Sequence, residues 1–115
     1  MEMTTLDRRR REHVAHLEHE LQSIVEQLRA MEAVQKVILF GSWARSRRDL
    51  GSDLDLIVVM DSALDFVSRS VAVAKRLQTG APLDLLVYTP DEVNRMAQRP
   101  FLRQALQEGV VLYAR

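Results

Sequence analysis

Apolar residues recur along the first third of the chain at three- and four-residue spacing: Val14, Leu17, Leu21, Ile24, Val25, Leu28 and Met31. This is the period of an amphipathic helix, and no Pro or Gly interrupts the chain before Gly41. Thr5 and Asp7 offer N-cap oxygens at its start. The pattern then changes. Val37, Ile38, Leu39 and Phe40 form a continuous apolar run, which predicts a buried strand ending at Gly41. A short helix opening at Ser42 and running through Trp43 to Arg48 is expected next, followed by a turn at Gly51 and Ser52. Residues 53–60 read as a second strand. Residues 63–77 read as a helix with Leu64, Val67, Val71, Ala74 and Leu77 on one side, broken by Thr79, Gly80 and Pro82. A third strand covers residues 83–88. Thr89, Pro90 and Glu92 carry the signature of a helix start, with Thr89 as N-cap, Pro90 in the first turn and Glu92 three positions on. Helical character pauses at Pro100, resumes to Glu108 and ends at Gly109, and residues 110–113 form a last strand. The order α-β-α-β-α-β-α-α-β predicts an α/β layer architecture, with a long N-terminal helix and a sheet of about four strands.

Composition narrows the chemistry. The 115 residues predict one domain, residues 1–115, with little material for a second module. The absence of Cys excludes disulfides, thiolate-bound zinc and thiol catalysis. Sixteen basic and sixteen acidic side chains give zero net charge, which argues against a surface built for non-specific nucleic-acid binding. The longest apolar runs fall far short of the ~20 residues that span a bilayer, and the first residues lack a secretory apolar core. A cytoplasmic protein with no membrane association is therefore expected. The arginines at positions 8–11 read as a solvated helical turn, with an acidic or phosphorylated partner as the sharper reading. His13, His16 and His19 read as a helix flank, Trp43 as a packing residue, and Tyr88 and Tyr113 as sheet residues.

Three acids sit where a core strand would not choose them. Asp53 and Asp55 open an apolar strand, and side chains two apart on a strand share a face. Two carboxylates so close repel one another unless a cation lies between them. Asp84 begins the following strand and reaches the pair if the two strands are neighbours. Oxygen donors without Cys suit Mg²⁺ or Mn²⁺. Gly41 and Ser42, between a buried strand and a helix start, form a turn whose backbone a phosphate can approach closely. Each feature alone has an ordinary structural reading. Together they are the parts of a metal-assisted phosphoryl- or nucleotidyl-transfer site.

The run Gly41-Ser42, ten residues, then Asp53-Leu54-Asp55 resembles the signature of the DNA polymerase β-like nucleotidyltransferases. The wider segment, from Leu39 to Arg45, from Ser52 to Leu56 and again from Leu83 to Val87, resembles the minimal nucleotidyltransferases of bacteria and archaea. Trp43 stands where that family often has Arg, and Ser46 where it often has Gly. The resemblance implies a polymerase β palm-like fold. It also implies that Asp53 and Asp55 bridge two Mg²⁺ ions and that Asp84 ligates one of them and helps deprotonate the acceptor. Gly41 and Ser42 would hold the phosphates of a nucleoside triphosphate, with Arg45 adding a contact. The implied activity is transfer of AMP from ATP to a hydroxyl, with a tyrosine of a helical HEPN toxin as acceptor and this chain as antitoxin. The alternatives are a non-catalytic antitoxin or scaffold acting by contact, and a subunit of a small-molecule, aminoglycoside-type transferase. The long first helix suits a homo-oligomer or a partner protein as well as the core.

Overall fold

The computed structural model describes residues 4–45 and 53–115. The long helix α1, Thr5–Arg29, is capped by Thr4, whose hydroxyl accepts from the Asp7 N–H at 3.0 Å. The cap thus lies one residue before the expected Thr5, because the Asp7 amide is the third in the helix and faces the Thr4 side chain. Strand β1, Val34–Phe40, leads directly into the single turn α2, Gly41–Ala44. Then follow β2 (Leu54–Met60), α3 (Phe66–Arg76), β3 (Leu83–Tyr88), α4 (Pro90–Met96), α5 (Pro100–Glu108) and β4 (Val110–Ala114). The expected element order holds throughout the described residues. Arg47, Arg48, Ser46 and the expected turn at Gly51 and Ser52 lie outside them.

The sheet has strand order β3-β2-β1-β4. β1 pairs antiparallel with both β2 and β4, whereas β2 pairs parallel with β3 through the α3 crossover. Parallel neighbours need such a crossover, and the helix buries one face of the sheet on the way. Strand alternation then divides the apolar side chains between two cores. Val37, Leu39, Leu54, Leu56, Val58 and Val87 join Leu17, Ile24 and Leu28 of α1, Val73 of α3 and Trp43 of α2. Ile38, Ile57, Val59 and Tyr88 face the other way, against Leu102 and Ala105 of α5 and Val93 and Met96 of α4. Trp43 is 1% exposed, so the residue that departs from the family's Arg is a core side chain.

α3 differs from expectation in phase. Its N-cap is Asp65, which accepts from the Ser68 N–H at 2.8 Å, and its buried residues are Arg69 and Val73. Leu64, Val67 and Val71, the stripe expected to face inward, are exposed. Arg69 turns the helix. Its guanidinium donates to the Val87 and Leu64 carbonyls and pairs with both carboxylate oxygens of Glu92. Glu92 in turn accepts from the Thr89 N–H at 2.8 Å, closing the expected capping box on α4. A buried charge satisfied by four acceptor atoms outweighs a stripe of β-branched and aliphatic residues that solvent tolerates.

α1 packs only part of its length. Residues 4–12 are all exposed, while Leu17, Ile24 and Leu28 are fully buried. One flank is tied to the segment before β3: His16 contacts the Gly80 carbonyl at 3.3 Å, Glu20 accepts from the Gly80 N–H, and Gln27 exchanges two hydrogen bonds with the Gln78 backbone. A compact chain of this length has a radius of gyration of about 13 Å. The observed 15.2 Å and a longest dimension of 53 Å reflect the projecting first turns of α1. Among the described residues, no helix is long and apolar enough to cross a membrane.

Candidate active site

The end of β1 and the starts of β2 and β3 meet at one edge of the sheet. This follows from topology: β1 runs against β2, and β2 runs with β3. Phe40, Asp55 and Asp84 are consecutive partners across that edge, and alternation places all three on the α4/α5 face. Asp53 lies just before β2 and is exposed. The condition left open by the sequence is met: β2 and β3 are neighbours, and Asp55 and Asp84 stand directly opposite one another.

Burial and like charge crowd together at this cluster. Asp55 is half-buried, and its carboxyl is pushed up to about 6. Desolvation is the largest cause, followed by the hydrogen bond to Asp84 and the negative charges of Asp84 and Asp53. A hydrogen bond between two carboxyls requires a shared proton, which a bound cation would replace. The donors are all oxygens, which fits a hard divalent ion. Among the described residues, no three acid, His or Cys side chains are placed together so as to hold a metal ion by themselves. Asp55 and Asp84 are the two acids brought face to face, and a cation held there would need further oxygen donors.

Gly41 joins the carboxylates to the turn. Its φ is +76°, a conformation that only glycine adopts freely, and a Cβ placed there would collide with Asp55 Oδ2 and sit 3.1 Å from Asp55 Cγ. Glycine is therefore required twice, for backbone direction and for room. Ser42 is half-buried in the first turn of α2. Arg45, the C-cap of α2, is exposed and reaches Glu108 of α5 at 3.4 Å.

Between α2 and α5 lies a cavity of about 210 Å³, lined by Phe40, Gly41, Arg45, Phe101, Gln104, Ala105 and Glu108. Phe40 and Phe101 meet edge to face at 5.7 Å between ring centroids. The cavity shares Phe40 and Gly41 with the carboxylate edge. Phe101, Gln104 and Glu108 are not legible in the sequence as site residues. They belong to no motif, and only the packing of α5 on β1 brings them to Gly41.

Comparison with known proteins bears on the fold and the family. Residues 22–115 match the family model described as polymerase beta, nucleotidyltransferase. The chain is 34% identical over 80 residues to the Methanocaldococcus jannaschii protein named "Putative protein adenylyltransferase MJ0604", covering 70% of this chain and 79% of that one. Among solved structures, a Sulfolobus solfataricus protein described as a "putative nucleotidyltransferase" superposes with a TM-score of 0.58 at 16% identity, covering 99% of this chain and 91% of the other. A mutant form of the toxin–antitoxin MntA–HpeT gives 0.54 at 24% identity over 83% of this chain and 72% of that chain. A toxin–antitoxin with AMP-PNP gives 0.56 at 24% identity over 82% and 73%. At these identities the structural likenesses establish the fold, and the family follows from the sequence matches: the chain belongs to the polymerase beta-type nucleotidyltransferases.

Proposed function

We propose that this protein is an ATP-dependent protein adenylyltransferase acting as the antitoxin of a two-protein pair in the cytoplasm, with a tyrosine of a helical HEPN toxin as acceptor. The observation that carries the reading is the Asp55–Asp84 pair beside Gly41, with Asp53 adjoining it. Asp53, Asp55 and Asp84 would hold Mg²⁺, or Mn²⁺ in its place. When bound, the metal neutralises triphosphate charge and stabilises the negative charge that develops on the phosphoryl oxygens. Gly41 and Ser42 lie against the phosphates, and Arg45 adds a cation at their outer end. The cavity beside Gly41 is smaller than the roughly 300–1,000 Å³ of whole-ligand pockets, so it receives one part of the nucleotide.

In the transfer, the acceptor oxygen forms a bond to the α-phosphorus and the bond from the α-phosphorus to the bridging oxygen breaks. Pyrophosphate leaves, and the hydroxyl proton passes to the Asp84 carboxylate. The acceptor in this reading is a residue of the partner protein, and the described residues build the sheet, its two cores and the nucleotide edge. The match to a protein adenylyltransferase name and to toxin–antitoxin structures supports this acceptor class.

The test is incubation with labelled ATP and Mg²⁺, with and without the protein encoded beside this one. Label on a tyrosine of that partner, lost in the Asp53→Ala, Asp55→Ala double variant, is the expected result. Partner inhibition that persists in the double variant without label establishes neutralisation by contact instead. Label on an added small hydroxyl compound alone establishes a small-molecule transferase.

A further inference from the structure

Strand β3 is an edge of the sheet, and its outer side is not uniform. The Leu54 N–H donates to the Pro82 carbonyl at 3.3 Å. With the parallel register of β2 and β3, the backbone groups of Asp84 and Leu86 therefore face β2, and those of Leu83, Leu85 and Val87 face away from the sheet. Val87 is already satisfied there. Its N–H donates to Ser70 Oγ at 3.2 Å, and its carbonyl accepts from Arg69 Nη1 at 3.0 Å. Helix α3 thus closes the far half of the edge, a common protection of an open strand. Among the described residues, Leu83 and Leu85 have no partner for their outward N–H and carbonyl groups. These four open groups flank Asp84, which is exposed.

The gap selects its occupant. Two N–H groups and two carbonyls spaced along a strand match the backbone of an extended segment. A helix cannot meet them, because its backbone groups bond internally. A second copy of β3 does not fit either. A pairing that uses both open residues of each copy is centred on Asp84 and sets two carboxylates opposite one another. Three residues of strand also fall far short of the roughly 800 Å² per partner of a stable interface. A short segment of a different protein meets neither obstacle. Phe40, Asp55 and Asp84 already form one rung on the α4/α5 face, and a strand added beyond β3 supplies its next member. In antiparallel pairing, Leu83 and Leu85 make the hydrogen bonds. The residue opposite Asp84 then takes the closer, non-hydrogen-bonded position, with Cα atoms about 4.5 Å apart and its side chain on the face of Asp84.

We propose that the acceptor protein docks here by strand addition: an extended segment of it pairs antiparallel with Leu83, Asp84 and Leu85 and sets its hydroxyl-bearing residue opposite Asp84. The residues on either side of that hydroxyl lie beside Leu83 and Leu85, which pack against the core beneath α1, so apolar neighbours suit the segment. The inference rests on the transferase reading for the fate of the hydroxyl, whereas the docking is a property of the edge itself.

Nuclear magnetic resonance on the isotope-labelled full chain, titrated with the unlabelled protein encoded beside it, tests the docking directly. The Leu83 and Leu85 amides are expected to gain protection from hydrogen exchange, while the Val87 amide, already bonded to Ser70, changes little. Leu85→Pro removes one outward N–H and leaves the ladder to β2 in place, as prolines on edge strands do. This variant should keep the rise in melting temperature that Mg²⁺ and ATP give the wild type. Its kcat/KM for AMP transfer to the partner should fall about fivefold, the scale of one hydrogen bond. Protection without any AMP transfer supports the docking and overturns the transferase reading. Transfer without protection, binding that leaves both amides exchanging as before, no binding, or a folded Leu85→Pro that transfers at the wild-type rate overturns the docking. The exchange measurement decides even if Leu85→Pro does not fold.

Discussion

Asp55 and Asp84 face one another across the parallel register of β2 and β3, close enough for their carboxyls to share a proton. Burial and the neighbouring charges raise Asp55 to about 6 from an ordinary 3.8. The folded chain therefore holds this proton more tightly than the unfolded chain does. The associated stability is fully present below about pH 4 and is lost as pH rises through about 6. Asp55→Asn should flatten thermal stability over that window and leave the metal-free protein more stable at neutral pH than the wild type. Added Mg²⁺ should raise the wild-type melting temperature and leave that of Asp55→Asn unchanged, while AMP transfer falls at least ~100-fold, the scale of losing one electrostatic element of a transfer site. Melting curves across pH, with and without Mg²⁺, together with the labelled-ATP transfer rate, check these outcomes.

Gly41→Ala should damage both fold and activity. The positive φ costs a side-chain-bearing residue about 1–2 kcal/mol, and the added methyl must also displace the Asp55 carboxylate. At roughly 4–8 °C per kcal/mol for a chain of about this size, the melting temperature drops by at least several degrees. AMP transfer should fall further than stability accounts for, because the displaced group is Asp55. Comparison with Gly80→Ala, at a glycine without positive φ whose added Cβ would meet Glu20 and His16 rather than Asp55, separates the two effects.

The Arg69–Glu92 pair is a stability element at the opposite end of β3. Arg69 is 5% exposed, and the hydrogen bonds from it hold Glu92 down to about 2. Glu92 therefore contributes stability present above about pH 4.5 and lost as pH falls toward 2. Glu92→Gln should cost about 3 kcal/mol, the low end for breaking a buried pair, because Arg69 keeps the Val87 and Leu64 carbonyls. The double variant Arg69→Met, Glu92→Leu should lose less than Glu92→Gln alone, since no buried charge is left unpaired. Denaturant unfolding of the three proteins at neutral pH checks the order.

Arg45 should matter for nucleotide and little for folding. Its bond to Glu108 joins two side chains that are 43% and 44% exposed, and such pairs contribute about 0–1 kcal/mol. Arg45→Ala is expected to raise the KM for ATP with a nearly unchanged melting temperature. Glu108→Gln should lower that KM by releasing the guanidinium. Equal KM values in all three proteins would remove Arg45 from the nucleotide site.

Local patterns are legible in the sequence wherever one short-range interaction decides the structure. The capping box of Thr89 and Glu92, the stop at Gly41 and the paired acids at the start of β2 all reduce to the chemistry of a few adjacent residues. The phase of α3 is not, because it depends on Arg69 meeting Glu92 and Val87 across the fold. Arg69 itself reads as a surface residue in sequence, so the more apolar stripe takes the inward reading. The approach of Asp84 to Asp55 is legible only as a condition, since no local signal says which strands pair. Phe101 and Gln104 have no signal at all: they reach the site through the packing of Leu102 and Ala105 beneath them.

The parallel pairing of β2 and β3 has one further consequence. Had these strands run oppositely over the same span, Asp84 would stand opposite Val58, about 10 Å along the sheet from Asp55. Because they run together, the distance between the two acids is fixed by one rung of the ladder. The crossover that links the strands can then lengthen, shorten or change its outer face without altering that distance. The exposed Leu64, Val67 and Val71 lie on this crossover and its approach. The surface of α3 is thus free to diverge between relatives and acquire new contacts, while the rung of Asp55 and Asp84 stays in place.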